Sequence, residues 1–317
     1  MNTKIVYCTV SGSEDMYLAQ AFISIYSARR YNPSATIVLL VDKPTSDVIE
    51  KHFRNLKGYV TNVIVANVPE HLNKMERSRY LKTTMREHVD GDFLYIDADT
   101  IVTCNLSEID YADFDMGSVL DRHARISVHV LSRKISNDLK KVNMSLKDLK
   151  DKYFNGGVLF VKDTPNTHEL FDKWHTIWEE TRHKGKPIDQ PPLARANMEC
   201  GYIIHEMDGE WNCQLSDNFL NCFHDAKILH YFASNNESPY NMYENDLYIE
   251  VMNKDEIPQN IKDAIENPKS FFKPKHRVIY NDDIDFTITN IHTIFKYHRW
   301  LFNMFEYVAK VIVRKRL

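Results

Sequence analysis

FLYIDADTIV, residues 93–102, carries two aspartates one residue apart between two apolar runs. The run before them is apolar or aromatic throughout, as a strand buried on both faces requires. Asp97 and Asp99 then stand together where that strand runs out. Like charges so close repel, and burying either is costly unless something positive compensates. A bound cation is the simplest compensation. The plain alternative is a pair of strand-end acids facing solvent, one of them capping a turn.

The segments before the pair set its context. KIVYCTV (4–10) reads as a short strand, and the following SGSED carries a Ser/Asp cap signal before MYLAQAFISIYSARR (16–30), which has helical spacing. ATIVLLVD (35–42) is a second buried strand, TSDVIEKHFRNL (45–56) a capped helix and YVTNVIVANV (59–68) a third strand. MERSRYLKTTMREHV (75–89) is a helix leading into DFLYIDAD (92–99), the fourth strand. This alternation implies βαβ units, an α/β fold and a mostly parallel central sheet. Ligands of such sheets gather beyond the carboxyl ends of the strands. Asp97, Asp99 and the Thr9–Asp15 loop all lie there.

The second half is less regular. DMGSVLD (115–121) fits a strand, residues 122–150 a helical excursion over the site, and YFNGGVLFVKD (153–163) a turn feeding a strand. NTHELFDKWHTIWEETR (166–182) is a helix, and QPPLARANME (190–199) has prolines where a helix start permits them. YIIHEM and KILHYFA are later short strands, residues 235–290 are polar with no assignable element, and 293–317 are helical by pattern.

At 317 residues and 43% apolar, the chain is ample for one large domain with an appendage. A net charge of −4 gives no electrostatic bias toward nucleic acid. Cys8, Cys104, Cys200, Cys213 and Cys222 show no CxxC pair and no metal-type spacing, and read as reduced thiols in a cytoplasmic protein. The opening MNTKIVYCTVSG is too short and polar for a signal peptide, and no stretch has the length of a membrane span.

Two enzymatic chemistries suit the aspartate pair. Carboxylate oxygens bind Mg²⁺ or Mn²⁺ that also grips a ligand diphosphate, as at a nucleotide-sugar site. The string DADT is also similar to the DxDxT of haloacid dehalogenase-type phosphatases, in which the first Asp is a nucleophile, although Ile101 holds the threonine position. That motif usually opens its chain, whereas three βα units precede it here. NDDID (281–285) supplies late acids, but no apolar strand leads into it.

Four features in order make the chain similar to the family 8 retaining glycosyltransferases, enzymes of GT-A fold. They are residues 5–33, the segment SRYLKTTMREHVDGDFLYIDADTIV (78–102), YFNGGVLFV (153–161), and the DQ of KPIDQPPLARA followed later by HYF. The resemblance implies a divalent ion, Mn²⁺ or Mg²⁺, held by Asp97, Asp99 and His230. It implies a UDP-hexose donor over the ends of strands one and four. Thr9 and Val10 match the base-contacting strand end, Tyr17 a ring for uracil to stack on, Arg79 and Lys82 the donor-site helix, and Ala98 the point of ribose approach. Asn155, Asp189 and Gln190 match residues flanking the transferred sugar, and Asp121 a contact to its hydroxyls. The acceptor implied is a glycan or lipid-linked oligosaccharide, such as a growing lipopolysaccharide. One departure stands out: where the family follows the late His with a diphosphate-binding lysine, this chain reads HYFASNNESPY. A transferase-like fold that binds nucleotide or glycan without turnover is therefore a further alternative.

Residues 294–317 hold six basic residues against the single acid Glu306. Tyr297, Leu301, Met304, Val308 and Val311 recur there at helical spacing. A basic amphipathic helix of this kind suits an anionic membrane surface, and equally a terminal helix docked on the domain with its basic end in solvent. The expected organisation is a GT-A catalytic domain over 1–234 and a C-terminal extension over 235–317 that ends in this helix.

Overall fold

β1 (Lys4–Thr9), β2 (Ile37–Asp42), β3 (Asn62–Ala66) and β4 (Phe93–Ile96) form the parallel half of a seven-stranded sheet. This computed structural model describes residues 1–185, 187–215, 220–231, 245–268, 294 and 297–314. Across the sheet the order is β3-β2-β1-β4-β7-β6-β8, continuing through β7 (Phe154–Val161), β6 (Met116–Leu120) and β8 (Ile204–Glu206). β7 runs antiparallel to both neighbours, and β6 pairs with β8 in parallel. Every residue of β2, β4, β6 and β7 is buried, which explains why their sequences are apolar runs without alternation. Ile5 and Tyr7 of β1 enter one core and Val6 the other, the period of two expected of a strand covered on both faces.

α1 (Tyr17–Tyr31) fills the first core with Phe22, Ile23 and Ile25. α2 (Lys43–His52) follows β2, capped by the Asp42 side chain. α3 (Lys74–Thr83) and α6 (Pro165–Thr181) cover the opposite face through Leu81, Leu170 and Trp174. The helix expected over 75–89 is broken: Thr84 has φ −102° and ψ 6°, and α4 (Met85–His88) restarts beyond it. α5 (Ser132–Lys141), flanked by short 3₁₀ turns, makes up the expected excursion, and α7 (Gln190–Glu199) starts at the Pro-Pro pair.

A second sheet contains β5 (Thr100–Val102), β9 (Cys213–Gln214) and β10 (Ile228–His230), in the order β5-β10-β9. The short helix α8 (Leu220–Phe223) precedes β10. The fourth strand therefore stops at Ile96, before the acids. Asp97, Ala98 and Asp99 form the link by which the chain leaves the large sheet and enters the small one. Likewise FNGG is part of strand β7, not a turn. Phe154 pairs with Leu120 of β6, and Gly157 O accepts from Asp97 N–H, backbone partners that the glycine pair alone does not suggest.

The chain divides into two compact units, Met1–Phe272 and Lys273–Leu317. The first extends past residue 234, because α9 (Asn245–Lys254) and α10 (Gln259–Glu266) place Tyr248, Val251, Ile261 and Ile265 in the first core. In the second unit, α11 (Arg299–Arg314) is the helix expected from the pattern, and its Trp300, Met304, Phe305 and Val308 are exposed. The NDDID segment lies outside the described residues.

Candidate active site

Between β1 and β4 the strand order turns back on itself, and the carboxyl ends of these strands open the crevice where ligands of such sheets settle. Thr9 ends β1, Val10 follows it, and both are buried there. Asp97 follows β4, its N–H donating to Gly157 O at 2.8 Å and its carbonyl accepting from Thr100 Oγ1 at 2.8 Å. β10 runs antiparallel to β5 with His230 opposite Thr100, and Tyr231 N–H donates to Asp99 O at 3.0 Å. This pairing brings His230 Nε2 to 3.3 Å from Asp99 Oδ1. Donor atoms of Asp97, Asp99 and His230 all lie within 4.8 Å of one another.

These three side chains suit a divalent ion. His230 Nδ1 faces Asn212 Oδ1 at 3.0 Å, while Asn212 Nδ2 donates to Asn155 Oδ1 at 3.0 Å. The Nδ1 proton is thereby committed to Asn212. A neutral His230 then presents a lone pair to the Asp99 carboxylate, and two acceptors at that range need a proton or a cation between them. Burial works to lower the His230 pKa, but Asp99 and then Asp97 raise it above its ordinary value. Gly157 leaves the room required. A Cβ there would overlap His230 Cε1 and lie 2.9 Å from Asp97 Oδ2. Two carboxylates and an imidazole are a ligand set for Mn²⁺ or Mg²⁺.

Positive charge reaches the acids from α3. Lys82 Nζ lies 3.3 Å from Asp97 Oδ1 and 3.3 Å from Asp189 Oδ2, and Arg79 Nε lies 2.9 Å from Asp189 Oδ1. Although it stands on a polar helix, Lys82 is only 5% exposed. Its charge survives there because Asp189 and Asp97 raise its pKa against burial. Asp189 is buried too, and Lys82 and Arg79 overcome that burial to hold its pKa at about 2. Tyr95, on β4 two residues before Asp97, donates its hydroxyl to Asp97, and Lys82 Nζ stands 5.0 Å from its ring centroid. Sequence reasoning missed Tyr95, although strand periodicity points to it.

A second group adjoins the first. Asn155 Nδ2 donates to Asp121 Oδ1 at 3.0 Å, and Asp121 Oδ2 lies 3.1 Å from His129 Nε2. Burial raises the Asp121 pKa, but hydrogen bonds from His129, Asn155 and Gln190 bring it below its usual value. Gln190 Nε2 also donates to Phe154 O at 2.8 Å. A continuous hydrogen-bond chain thus runs His230–Asn212–Asn155–Asp121–His129. Asn212 and His129 carry no periodic or motif signal in the sequence. Ala98, between the acids, is partly buried against the first core. Tyr17 belongs to a different set of contacts: it is 40% exposed, with Lys74 Nζ 4.8 Å from its ring centroid and paired with Asp15. Residues 232–240, where the lysine-free departure lies, are outside the described residues.

Residues 8–239 match the family model described as Glycosyl transferase family 8. Among solved structures, the bifunctional glycosyltransferase WbbM is similar over 83% of this chain at 16% identity and a TM-score of 0.55, the chain spanning 51% of that protein's length. The galactosyltransferase LgtC, solved with donor and acceptor sugar analogues, gives 15% identity and a TM-score of 0.51 over 82% of this chain and 99% of its own. The glycosyltransferase GlyE of Streptococcus pneumoniae gives 17% and 0.50 over 88% and 67%. No curated protein matches the sequence significantly. At these identities the structural likeness speaks for the fold, which is the GT-A arrangement. The phosphatase reading of DADT is set aside, since both the matched family and the fold are those of glycosyltransferases.

Proposed function

Because the chain belongs to glycosyl transferase family 8, we propose that it moves a hexose, galactose or glucose, from a UDP-sugar to a glycan acceptor with retention of configuration. The observation that carries this reading is the convergence of Asp97, Asp99 and His230 beside the Lys82 ammonium. Those three residues would hold a divalent ion, Mn²⁺ or Mg²⁺, whose chemistry when bound is to neutralise the departing diphosphate. Thr9 and Val10 would meet the base, Ala98 the ribose and Tyr17 the uracil face.

Arg79 and Lys82 would add positive charge for the diphosphate, in place of the lysine absent from residues 230–240. Both oxygens of Asp189 are engaged by these cations, which suits it to fixing them in place. Asp121, Asn155 and Gln190 form a polar wall of mutually oriented donors and acceptors for the sugar hydroxyls. In a retaining transfer without a well-placed nucleophile, a donor phosphate oxygen can take the acceptor proton, and the wall would orient the oxocarbenium-like sugar. The acceptor is read as lipopolysaccharide or another lipid-linked surface glycan.

Contact with an anionic membrane is proposed through α11, whose exposed Trp300, Met304, Phe305 and Val308 combine with basic neighbours. Among the described residues no helix is long and apolar enough to cross a membrane.

Calorimetric titration with UDP, with and without Mn²⁺, tests the donor site, and slow donor hydrolysis across a panel of UDP-sugars tests turnover and sugar choice. Ion-dependent UDP binding, with hydrolysis of UDP-galactose or UDP-glucose, is expected. Failure to bind UDP in the presence of the ion sinks the proposal, and binding without hydrolysis of any sugar leaves a non-catalytic fold.

A further inference from the structure

His123, Cys213 and Cys222 come from three separate elements and meet beside Gln214. His123 ends the turn after β6, Cys213 opens β9 and Cys222 lies in α8. Their donor atoms all lie within 4.8 Å of one another, and Cys222 Sγ is 3.7 Å from His123 Nε2. Ordinary zinc bond lengths at a tetrahedral angle put nitrogen and sulfur about 3.6 Å apart, and two sulfurs about 3.8 Å apart. The His123–Cys222 separation is thus that of two donors to one ion, with Cys213 within reach of both. Neither cysteine is in a disulfide.

Two further observations show that the fold spends conformational freedom on this corner. Arg122 and His123 take consecutive left-handed conformations, φ 50° and 53°, which non-glycine residues seldom adopt. Gln214 holds that turn from three sides. Its Oε1 accepts from Arg122 N at 2.8 Å, its Nε2 donates to Leu120 O at 2.8 Å, and its N–H donates to His123 Nε2 at 3.0 Å. The last bond keeps Nε2 unprotonated, the form in which imidazole binds metals. Gly209 makes room: a Cβ there would lie 3.0 Å from His123 Nδ1 and 3.2 Å from Cys222 Sγ.

We propose that His123, Cys213 and Cys222 form a second metal site, for a soft divalent ion of the zinc class, with a fourth position left to water. Two thiolates and one imidazole favour zinc over manganese or magnesium, whereas the Asp97, Asp99 and His230 set favours the harder ions. Binding exchanges two thiol protons, released to solvent, for two metal–sulfur bonds. The ion also replaces the Gln214 N–H at Nε2. Two thiolates and Zn²⁺ sum to zero charge, so burial does not oppose the loaded state. The bound ion would tie α8 to β9 and to the turn that carries Asp121.

The test uses the reduced, metal-free full-length protein titrated with Co²⁺ and then with Zn²⁺. The expected result is near-ultraviolet thiolate-to-cobalt absorption that saturates at one equivalent, bleaches with one equivalent of Zn²⁺ and survives excess Mn²⁺. Cys222→Ser should abolish it and Cys104→Ser should leave it. In wild-type protein, Zn²⁺ should also slow iodoacetamide labelling of Cys213 and Cys222 at least tenfold relative to Cys200. Absence of the absorption in wild type, its persistence in Cys222→Ser, or equal labelling with and without Zn²⁺ each overturns the proposal. All of these outcomes are independent of UDP binding.

Discussion

Asn212 Oδ1 lies 3.0 Å from His230 Nδ1, and the whole Asn212 side chain is sealed from solvent. Its amide joins the histidine that faces Asp99 to the asparagine that faces Asp121. A group holding the far nitrogen of a ligating imidazole sets the ring's tautomer and angle, and losing such a group typically costs 10–100-fold in metal affinity. Asn212→Ala should therefore weaken Mn²⁺ binding, measured by electron paramagnetic resonance with UDP present, by about 10–100-fold. It should also cost roughly 1–3 kcal/mol of stability, because the buried hydrogen bonds to His230 Nδ1 and Asn155 Oδ1 are both lost. Unchanged Mn²⁺ affinity would remove Asn212 from the site.

Lys82 divides its charge between Asp97 and Asp189. Replacing it with methionine leaves both carboxylates in place and deletes the competing cation. Lys82→Met should bind Mn²⁺ more tightly without nucleotide, by roughly tenfold for a change of about 1.4 kcal/mol. The same variant should bind UDP less tightly in the presence of Mn²⁺. Calorimetry of both ligands checks the pair of opposite signs, and movement of both affinities in one direction contradicts it.

Asp189 gives a pH signature. Lys82 and Arg79 outweigh its burial and hold its pKa at about 2. A carboxyl depressed in this way stabilises the fold fully above its unfolded pKa of about 3.9, and that stabilisation fades as pH falls through the folded value. The shift corresponds to roughly 2 kcal/mol. Urea unfolding of the wild type should keep this contribution from about pH 7 to about pH 4 and shed most of it by about pH 2. Asp189→Asn should be less stable at neutral pH and lack this part of the acid-dependent loss.

Gly157 and Gly156 make a matched pair. A methyl group at Gly157 would meet His230 and Asp97 inside van der Waals contact, whereas at Gly156 the nearest atoms are 3.6 Å away. Gly157→Ala should cost about 1–3 kcal/mol in thermal unfolding, the usual penalty of overpacking. It should also lower Mn²⁺ affinity at least several-fold. Gly156→Ala should stay within about 0.5 kcal/mol of the wild type. Equal behaviour of the two variants would show that the close approach is not needed.

Much of this corner is legible in the sequence where one element decides the outcome. β1, β2 and β4 announce themselves as apolar runs, and their alternation with helices predicts the parallel half of the sheet. Where two distant segments decide together, local signals mislead. FNGG carries turn chemistry, yet pairing with Leu120 of β6 and with the Asp97 N–H draws it into a strand. Lys82 sits on a polar helix and reads as solvated, yet Asp97 and Asp189, 15 and 107 residues away, bury it. His123 and Cys222 are 99 residues apart, so no spacing rule joins them. The carboxyl-end placement of Asp97 was readable, but its position in the crossing between two sheets was not.

That crossing has a cost in fidelity. The ladder that sets His230 beside Asp99 is only three residues long on each side. Because neighbouring side chains on a strand point in opposite directions, a slip of a single step would swing the imidazole to the wrong side while leaving the large sheet whole. A molecule with that fault would pass most tests of foldedness and still be inert, so assays of purity for this protein should count competent corners as well as folded chains.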